Sequence, residues 1–360
     1  MMGLPAVLIA IASAAVAAVS TGMLLPVLRA TVVDLPNERS SHSVATPRGG
    51  GVGVIIGAAA GLAVAGLLGW PIPSALFLTG VCIVALIGFL DDRLRGLPVI
   101  VRLVGQAMVA GMLVWRFGPI PAFGVPGLFL QPLGAAAGAL TVLWVVVLVN
   151  LYNFLDGIDG FAAAQGAIAG FMLAVAFRGG PASAVALSVA GACCGFLRYN
   201  WRPARVFMGD VGSTTLGVIF AGLPLLLPPQ ERPFAAWTVL LCLWFFVADG
   251  VFTLFRRLLR GERIWQAHRS HLYQRLVATG LRHDQVVLAV MIPGAVLATC
   301  AVLGERMRSA TMMGAVSASA LVLFCAYWAW TAVREARVLQ VTRLGKPGRH
   351  IDTSPARRVQ

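Results

Sequence analysis

The residues best suited to chemistry in this sequence are carboxylates, and they stand at the ends of apolar runs. Gly88-Phe89-Leu90 leads directly into Asp91-Asp92. Two adjacent carboxylates at such a place are costly, because each is desolvated beside a like charge; a divalent cation or a proton relieves the repulsion. A second apolar run ends in Asn153-Phe154-Leu155-Asp156-Gly157-Ile158-Asp159-Gly160. On a helix Asn153, Asp156 and Gly160 fall near one face, and Asp159 extends it. Amides and carboxylates in that pattern suit a hydroxyl, a base edge or hydrated Mg²⁺, which takes hard oxygen ligands. An Asx-rich turn that binds nothing uses the same residues.

A third group is Phe207-Met208-Gly209-Asp210-Val211-Gly212-Ser213-Thr214. It sets an oxygen ligand between two glycines, at a helix start whose free N–H groups favour phosphate. The segment 256–285 is rich in arginine and carries His268-Arg269-Ser270-His271. On a helix His268 and His271 share a face. With no cysteine nearby and no HExxH pattern, phosphate handling by His and Arg fits better than zinc. An amphipathic helix on anionic lipid is the plainer account of the arginines. Arg48 precedes Gly49-Gly50-Gly51, a run able to cradle an anion. Asp249 lies inside an apolar span, where a carboxylate is a functional candidate by default.

The elements that must position these groups are membrane helices. The chain has 360 residues, 59% hydrophobic and only 12% charged, with a mean hydropathy of +0.85. Those values exclude an ordinary soluble enzyme and a disordered chain. Apolar stretches long enough to cross a bilayer as helices recur throughout, so the expected fold is an all-α polytopic bundle, not a barrel of short strands. Eleven spans are expected, at roughly 4–28, 51–70, 74–90, 99–117, 135–152, 161–177, 182–198, 213–229, 234–255, 286–304 and 310–331. Residues 1–331 then form one membrane domain, and 332–360 a basic, partly disordered tail. The six cysteines all lie in apolar spans and read as packing residues.

Net charge is +14, and 22 of the 28 basic residues fall on the side of the C-terminus, against five opposite. Positive residues mark the cytoplasm, so the N-terminus is expected outside and the C-terminus inside. Nucleic acid is not an expected partner, since the bases sit in loops between apolar spans. All five histidines and twelve of the fourteen acids share the cytoplasmic side. Topology does not require that, which implies metal-dependent chemistry on an anionic substrate and a bilayer lipid. A secondary transporter is the main rival, but its ionisable groups belong near the midplane and no internal repeat is present. A non-catalytic scaffold is a weaker one.

In their order and placement, Asp34 to Gly51 ("DLPNERSSH…TPRGGG"), "GFLDD", "NFLDGIDG", "FMGDVGS" and "HRSH" resemble the polyprenyl-phosphate N-acetylhexosamine-1-phosphate transferases, the WecA/MraY superfamily of glycosyltransferase family 4. The last motif is closer to O-antigen-initiating members than to the peptidoglycan translocase, whose histidine triplet is absent here. Arg95 stands where the acidic motif often has a third Asp. The resemblance implies a bacterial inner-membrane enzyme with a cytoplasmic active site that needs Mg²⁺, with Mn²⁺ as a substitute. Undecaprenyl phosphate would attack the β-phosphorus of a UDP-N-acetylhexosamine, giving undecaprenyl-diphospho-sugar and UMP. It implies Asp91 as base, Asp92 as its support or a metal ligand, and Asp210 as a Mg²⁺ ligand. Asn153, Asp156, Asp159 and Phe207 would line the nucleotide pocket. His268, His271, Arg269 and Arg48 would hold phosphate or sugar. A homodimer is compatible with all of this.

Overall fold

The computed structural model describes residues 3–34, 44–94, 96–125, 128–263 and 268–344. Most of the Asp34–His42 portion of the first-loop motif, Arg95 and residues 345–360 lie outside these. The described chain is helical, apart from two ribbons of two-residue strands.

Helices α1 (Leu4–Thr31) and α2 (Gly51–Leu67) flank the first ribbon, in which β1 (Val33–Asp34) pairs antiparallel with β2 (Thr46–Pro47). Then come α3 (Ala75–Leu94), α4 (Val99–Phe117), α5 (Ala137–Phe154), α6 (Phe161–Ala176), α7 (Pro181–Asn200) and α8 (Gly209–Gly222). The order closes with α9 (Arg232–Cys242), α10 (Trp244–Leu259), short α11 (Leu272–Ala278), α12 (His283–Arg306) and α13 (Ala310–Leu344).

Among the described residues eight helices are long and apolar enough to cross a membrane, so the protein is a multi-pass membrane protein. The eleven spans expected need adjustment at four places. The ninth, 234–255, is broken at Leu243: α9 and α10 meet at 81°. The second and sixth are α2 and α6, of only 17 and 16 residues. At 1.5 Å per residue such helices are about 25 Å long, short of the roughly 30 Å hydrocarbon core. Both are interior elements, packed against α1, α7 and α12. At the far end α13 continues past Thr331 to Leu344.

Small residues explain the interior. Gly57 and Gly61 of α2 sit directly on Ser13 and Ala17 of α1, and Gly191 and Gly195 of α7 on α1 backbone. Such residues let helices approach closely where no hydrophobic force separates lipid from protein. Around this centre α1, α4 and α13 expose large apolar side chains, among them Met23, Met108, Trp115 and Leu321. These are surfaces for lipid.

Polar contacts gather at the two ends. One end joins the C-terminus of α1 to that of α3, through Arg93 Nη1 on the Thr31 carbonyl at 3.3 Å. It also carries every described motif of the sequence. The other end joins the α4–α5, α6–α7, α8–α9 and α12–α13 connections through Arg232, Arg178 and Arg308.

Candidate active site

Gly209 opens α8 with φ +75°, and a Cβ there would strike the Asp92 carboxylate. Glycine therefore lets Asp92 reach the helix N-terminus, where its Oδ1 accepts the Asp210 N–H at 3.0 Å and its Oδ2 the Val211 N–H at 3.1 Å. A carboxylate so placed satisfies two orphan donors and meets the positive end of the helix dipole. Arg48 Nη2 adds a contact of 2.7 Å to Asp92 Oδ1, and it also donates to Asp210 Oδ1 at 3.2 Å. Asp92 is thus an anchor with both oxygens engaged.

Asp91 is held differently. Its Oδ1 accepts the Leu97 N–H at 2.7 Å, closing the turn from α3 into α4. Arg102, four residues after Pro98, places Nη1 3.0 Å from Asp210 Oδ2 and Nε 3.6 Å from Asp91 Oδ1. Asp91 and Asp210 are in side-chain contact. Sequence reasoning passed over Arg102 as a base within a span. Its intramembrane position was the available signal, because a charge there is paired or functional by default.

The 153–160 turn approaches from α5. Asn153 Nδ2 donates to Ser213 Oγ at 2.8 Å, tying the turn to α8. Asp156 has its pKa pushed up to about 7, first by burial and then by the charges of Asp210 and Asp92, with Arg48 opposing. Burial disfavours the Arg48 charge, but Asp92, Asp210, Asp34 and Asp91 outweigh it and raise its pKa. Four carboxyl groups therefore share one neighbourhood with two arginines.

Asp159 points elsewhere. Its Oδ2 accepts the Ala204 N–H at 3.2 Å, and His283 Nδ1 lies 3.3 Å from Oδ1. With Phe207, Thr46 and Arg202 it lines a cavity of about 370 Å³. A second cavity, about 250 Å³, reaches Arg48 and Asp92 from the side of Val33, Asp34 and Arg93. The β1–β2 ribbon separates the two, Thr46 lining one and its partner Asp34 the other.

The histidines form their own group. Asp249, wholly buried in α10, accepts the Leu272 N–H at 2.9 Å, the Tyr273 N–H at 3.4 Å and the Thr253 hydroxyl at 2.9 Å, so it caps α11. His271 is buried 3.5 Å from the same carboxylate. The His268 and His271 rings lie 4.9 Å apart, and His268 Nδ1 meets Ser270 Oγ at 2.9 Å. Burial, then His271 and Arg257, push the His268 pKa down to about 4, so the ring is neutral at physiological pH. Arg269 beside it is exposed. The Tyr273 hydroxyl donates to the Phe154 carbonyl at 3.1 Å, docking α11 on the 153–160 turn. A second cluster thus borders the first.

A family model described as Glycosyl transferase family 4 matches residues 74–227. A probable undecaprenyl-phosphate N-acetylglucosaminyl 1-phosphate transferase of Bacillus subtilis is 35% identical over 285 residues, 78% of this chain and 78% of its own length. The chain belongs to glycosyl transferase family 4. Within it, the decaprenyl-phosphate N-acetylglucosaminephosphotransferase of Mycobacterium tuberculosis is 30% identical over 327 residues, covering 80% of each chain. An undecaprenyl-phosphate alpha-N-acetylglucosaminyl 1-phosphate transferase of Yersinia pestis is 28% identical over 299 residues, 77% of this chain and 78% of its own. This family 4 member is a phosphoglycosyltransferase of the WecA/MraY superfamily, and the Asp91–Asp92 and Asp210 motifs both fall within the matched region.

Proposed function

We propose that the protein transfers an N-acetylhexosamine 1-phosphate from a UDP-sugar to undecaprenyl phosphate, at the cytoplasmic face of a bacterial inner membrane, to initiate a cell-envelope polysaccharide. The observation that carries this reading is the meeting of Asp91, Asp92, Asp156 and Asp210 with Arg48 and Arg102 at the basic end of the bundle. N-acetylglucosamine is the favoured sugar, since it appears in the names of all three relatives.

In the reaction an oxygen of the lipid phosphate attacks the β-phosphorus of the UDP-sugar, and the bond to the bridging oxygen breaks to release UMP. Such transfers are driven by alignment and charge neutralisation more than by covalent help. Arg48 and Arg102 face the carboxylates with donors suited to phosphate oxygens. Asp91, fixed by the Leu97 N–H, is the base toward a protonated lipid phosphate. Phe207 and Asp159 meet the uracil in the larger cavity, with Asn153 and Asp156 beside the diphosphate. Neutral His268, with His271 and Arg269, offers hydrogen bonds to sugar or phosphate.

The donor set also fits Mg²⁺. Among the described residues no three His, Cys, Asp or Glu side chains form a ready-made cage. Mg²⁺ does not need one, because it is usually held by one or two carboxylates together with substrate phosphates. Asp210, with Asp91 against it, is the carboxylate that would hold the ion, while Asp92 is committed to the α8 N-terminus. Bound there, Mg²⁺ would neutralise charge on the diphosphate. The test is a screen of UDP-sugars against undecaprenyl phosphate with purified protein, read by lipid mass spectrometry. A diphospho-lipid carrying N-acetylglucosamine is expected, and no product from any UDP-sugar would refute the reading.

A further inference from the structure

His283 stands 124 residues from Asp159 in sequence, yet the two share one contact. Asp159 ends the 153–160 turn, and Gly160 after it adopts φ +75° so that the chain turns into α6. The Gly160 N–H is held by Asn200 Oδ1 at 3.1 Å, which fixes the backbone but not the carboxylate. The carboxylate is held by the Ala204 N–H on one oxygen, and its other oxygen lies within reach of His283. His283 Nδ1 lies 3.3 Å from both Asp159 Oδ1 and the Asp159 main-chain nitrogen. Protonated at Nδ1 the ring donates to the carboxylate; unprotonated there, it accepts the main-chain N–H. In both states it is docked on Asp159.

His283 is buried at the first turn of α12, and both residues line the 370 Å³ cavity with Phe207. Its neighbours are polar and paired: Arg202 and Arg282 share Asp284, at 3.2 Å and 2.6 Å. Asp159 is thus the carboxylate of a wall that also carries the apolar side chains of Phe207, Val277 and Leu281. A uracil ring presents an N–H between two carbonyls. Cytosine presents an acceptor at the same ring nitrogen, which a carboxylate repels. Discrimination of this kind depends on the carboxylate being held in place.

We propose that His283 is a positioning residue for base recognition: it holds the Asp159 carboxylate in the nucleotide cavity and thereby sets the preference for uracil over cytosine. This rests on the reading of that cavity as the uridine site. His283 reaches no reacting atom; it acts through Asp159.

The test uses the full-length protein in nanodiscs, with UMP and CMP binding measured by calorimetry alongside steady-state kinetics. For His283→Ala we expect UMP affinity to fall about tenfold, as for loss of a charge-assisted hydrogen bond, and the UMP-to-CMP preference to shrink by a similar factor. KM for the UDP-sugar should rise in parallel, while KM for undecaprenyl phosphate stays within about twofold, as expected for independent sites. His283→Gln, whose amide donates to a carboxylate, should recover most of the affinity at an unchanged thermal midpoint. Equal weakening toward UMP, CMP and the lipid, or a His283→Ala variant as selective as the parent, would overturn the proposal while leaving the uridine site standing. A parent protein that binds UMP no better than CMP would overturn the reading of the cavity itself, and this proposal with it.

Discussion

Arginine is used in opposite ways at the two ends of the molecule. At the end opposite the motifs, Arg232 is buried with no acidic partner among the described residues. Its Nε and two Nη atoms donate to the carbonyls of Leu227 at 3.0 Å, Pro119 at 2.9 Å and Phe117 at 2.7 Å. Phe117 is the last residue of α4, so the cation meets the negative end of a helix dipole. That arrangement is closed, because every contact is to this chain's own backbone. At the other end Arg48 and Arg102 face four carboxyl groups, and cavities reach the cluster. A buried charge satisfied by backbone holds the fold together. A cluster with more carboxyl groups than cations beside open space has room for a ligand.

Substitutions at the two ends should therefore separate activity from stability. Asp91→Asn should lose activity by about 10²–10⁴-fold at pH 6, as for removal of a general base. Part of it should return at pH 9, because a phosphate monoester with a second pKa of about 6 is then fully dianionic and needs no base. An equal loss at both pH values would assign Asp91 to ligand binding instead. Arg102→Ala comes next. We expect about 10²-fold lower kcat/KM with little change in thermal midpoint, comparable to loss of one preorganised donor. Normal turnover would remove Arg102 from the site.

Arg232→Ala should do the reverse, costing about 2–4 kcal/mol of stability through three stranded carbonyls. Activity per folded molecule should stay within about twofold, since the site is at the far end. Urea or thermal unfolding beside UMP release would expose any deviation.

The smallest effect concerns His268. A histidine whose folded pKa is lowered to about 4 binds fewer protons than the unfolded chain between pH 4 and 6.5. Its contribution to stability is therefore lost as pH falls through that window and is constant above it. His268→Ala should shrink this acid destabilisation, and its effect on UDP-sugar KM should be the same at pH 7 and pH 9. A KM effect that changes across that range would mean the ring titrates there.

Much of the candidate site was legible because its signals are local. Adjacent carboxylates after an apolar run, and Asp210 between glycines, announce themselves without a structure. The helical bundle was legible for the same reason, since long apolar runs admit few folds. What escaped was non-local. Asp159 and His283 meet from distant segments, and no periodicity links them. The α9–α10 bend occurs in Cys242-Leu243-Trp244, with no Pro or Gly to mark it. Asp249, singled out as an intramembrane acid, proved to cap α11, a role that depends on where the chain returns after residue 268.

The central claim is that the carboxylate cluster at the basic end performs Mg²⁺-supported phosphosugar transfer. UMP release by purified Asp210→Asn, set against the parent protein with saturating Mg²⁺ and with EDTA, tests it most directly. The account predicts release by the parent only with Mg²⁺, and none by the variant at an unchanged thermal midpoint. Full release by the parent in EDTA, or by Asp210→Asn, would contradict it.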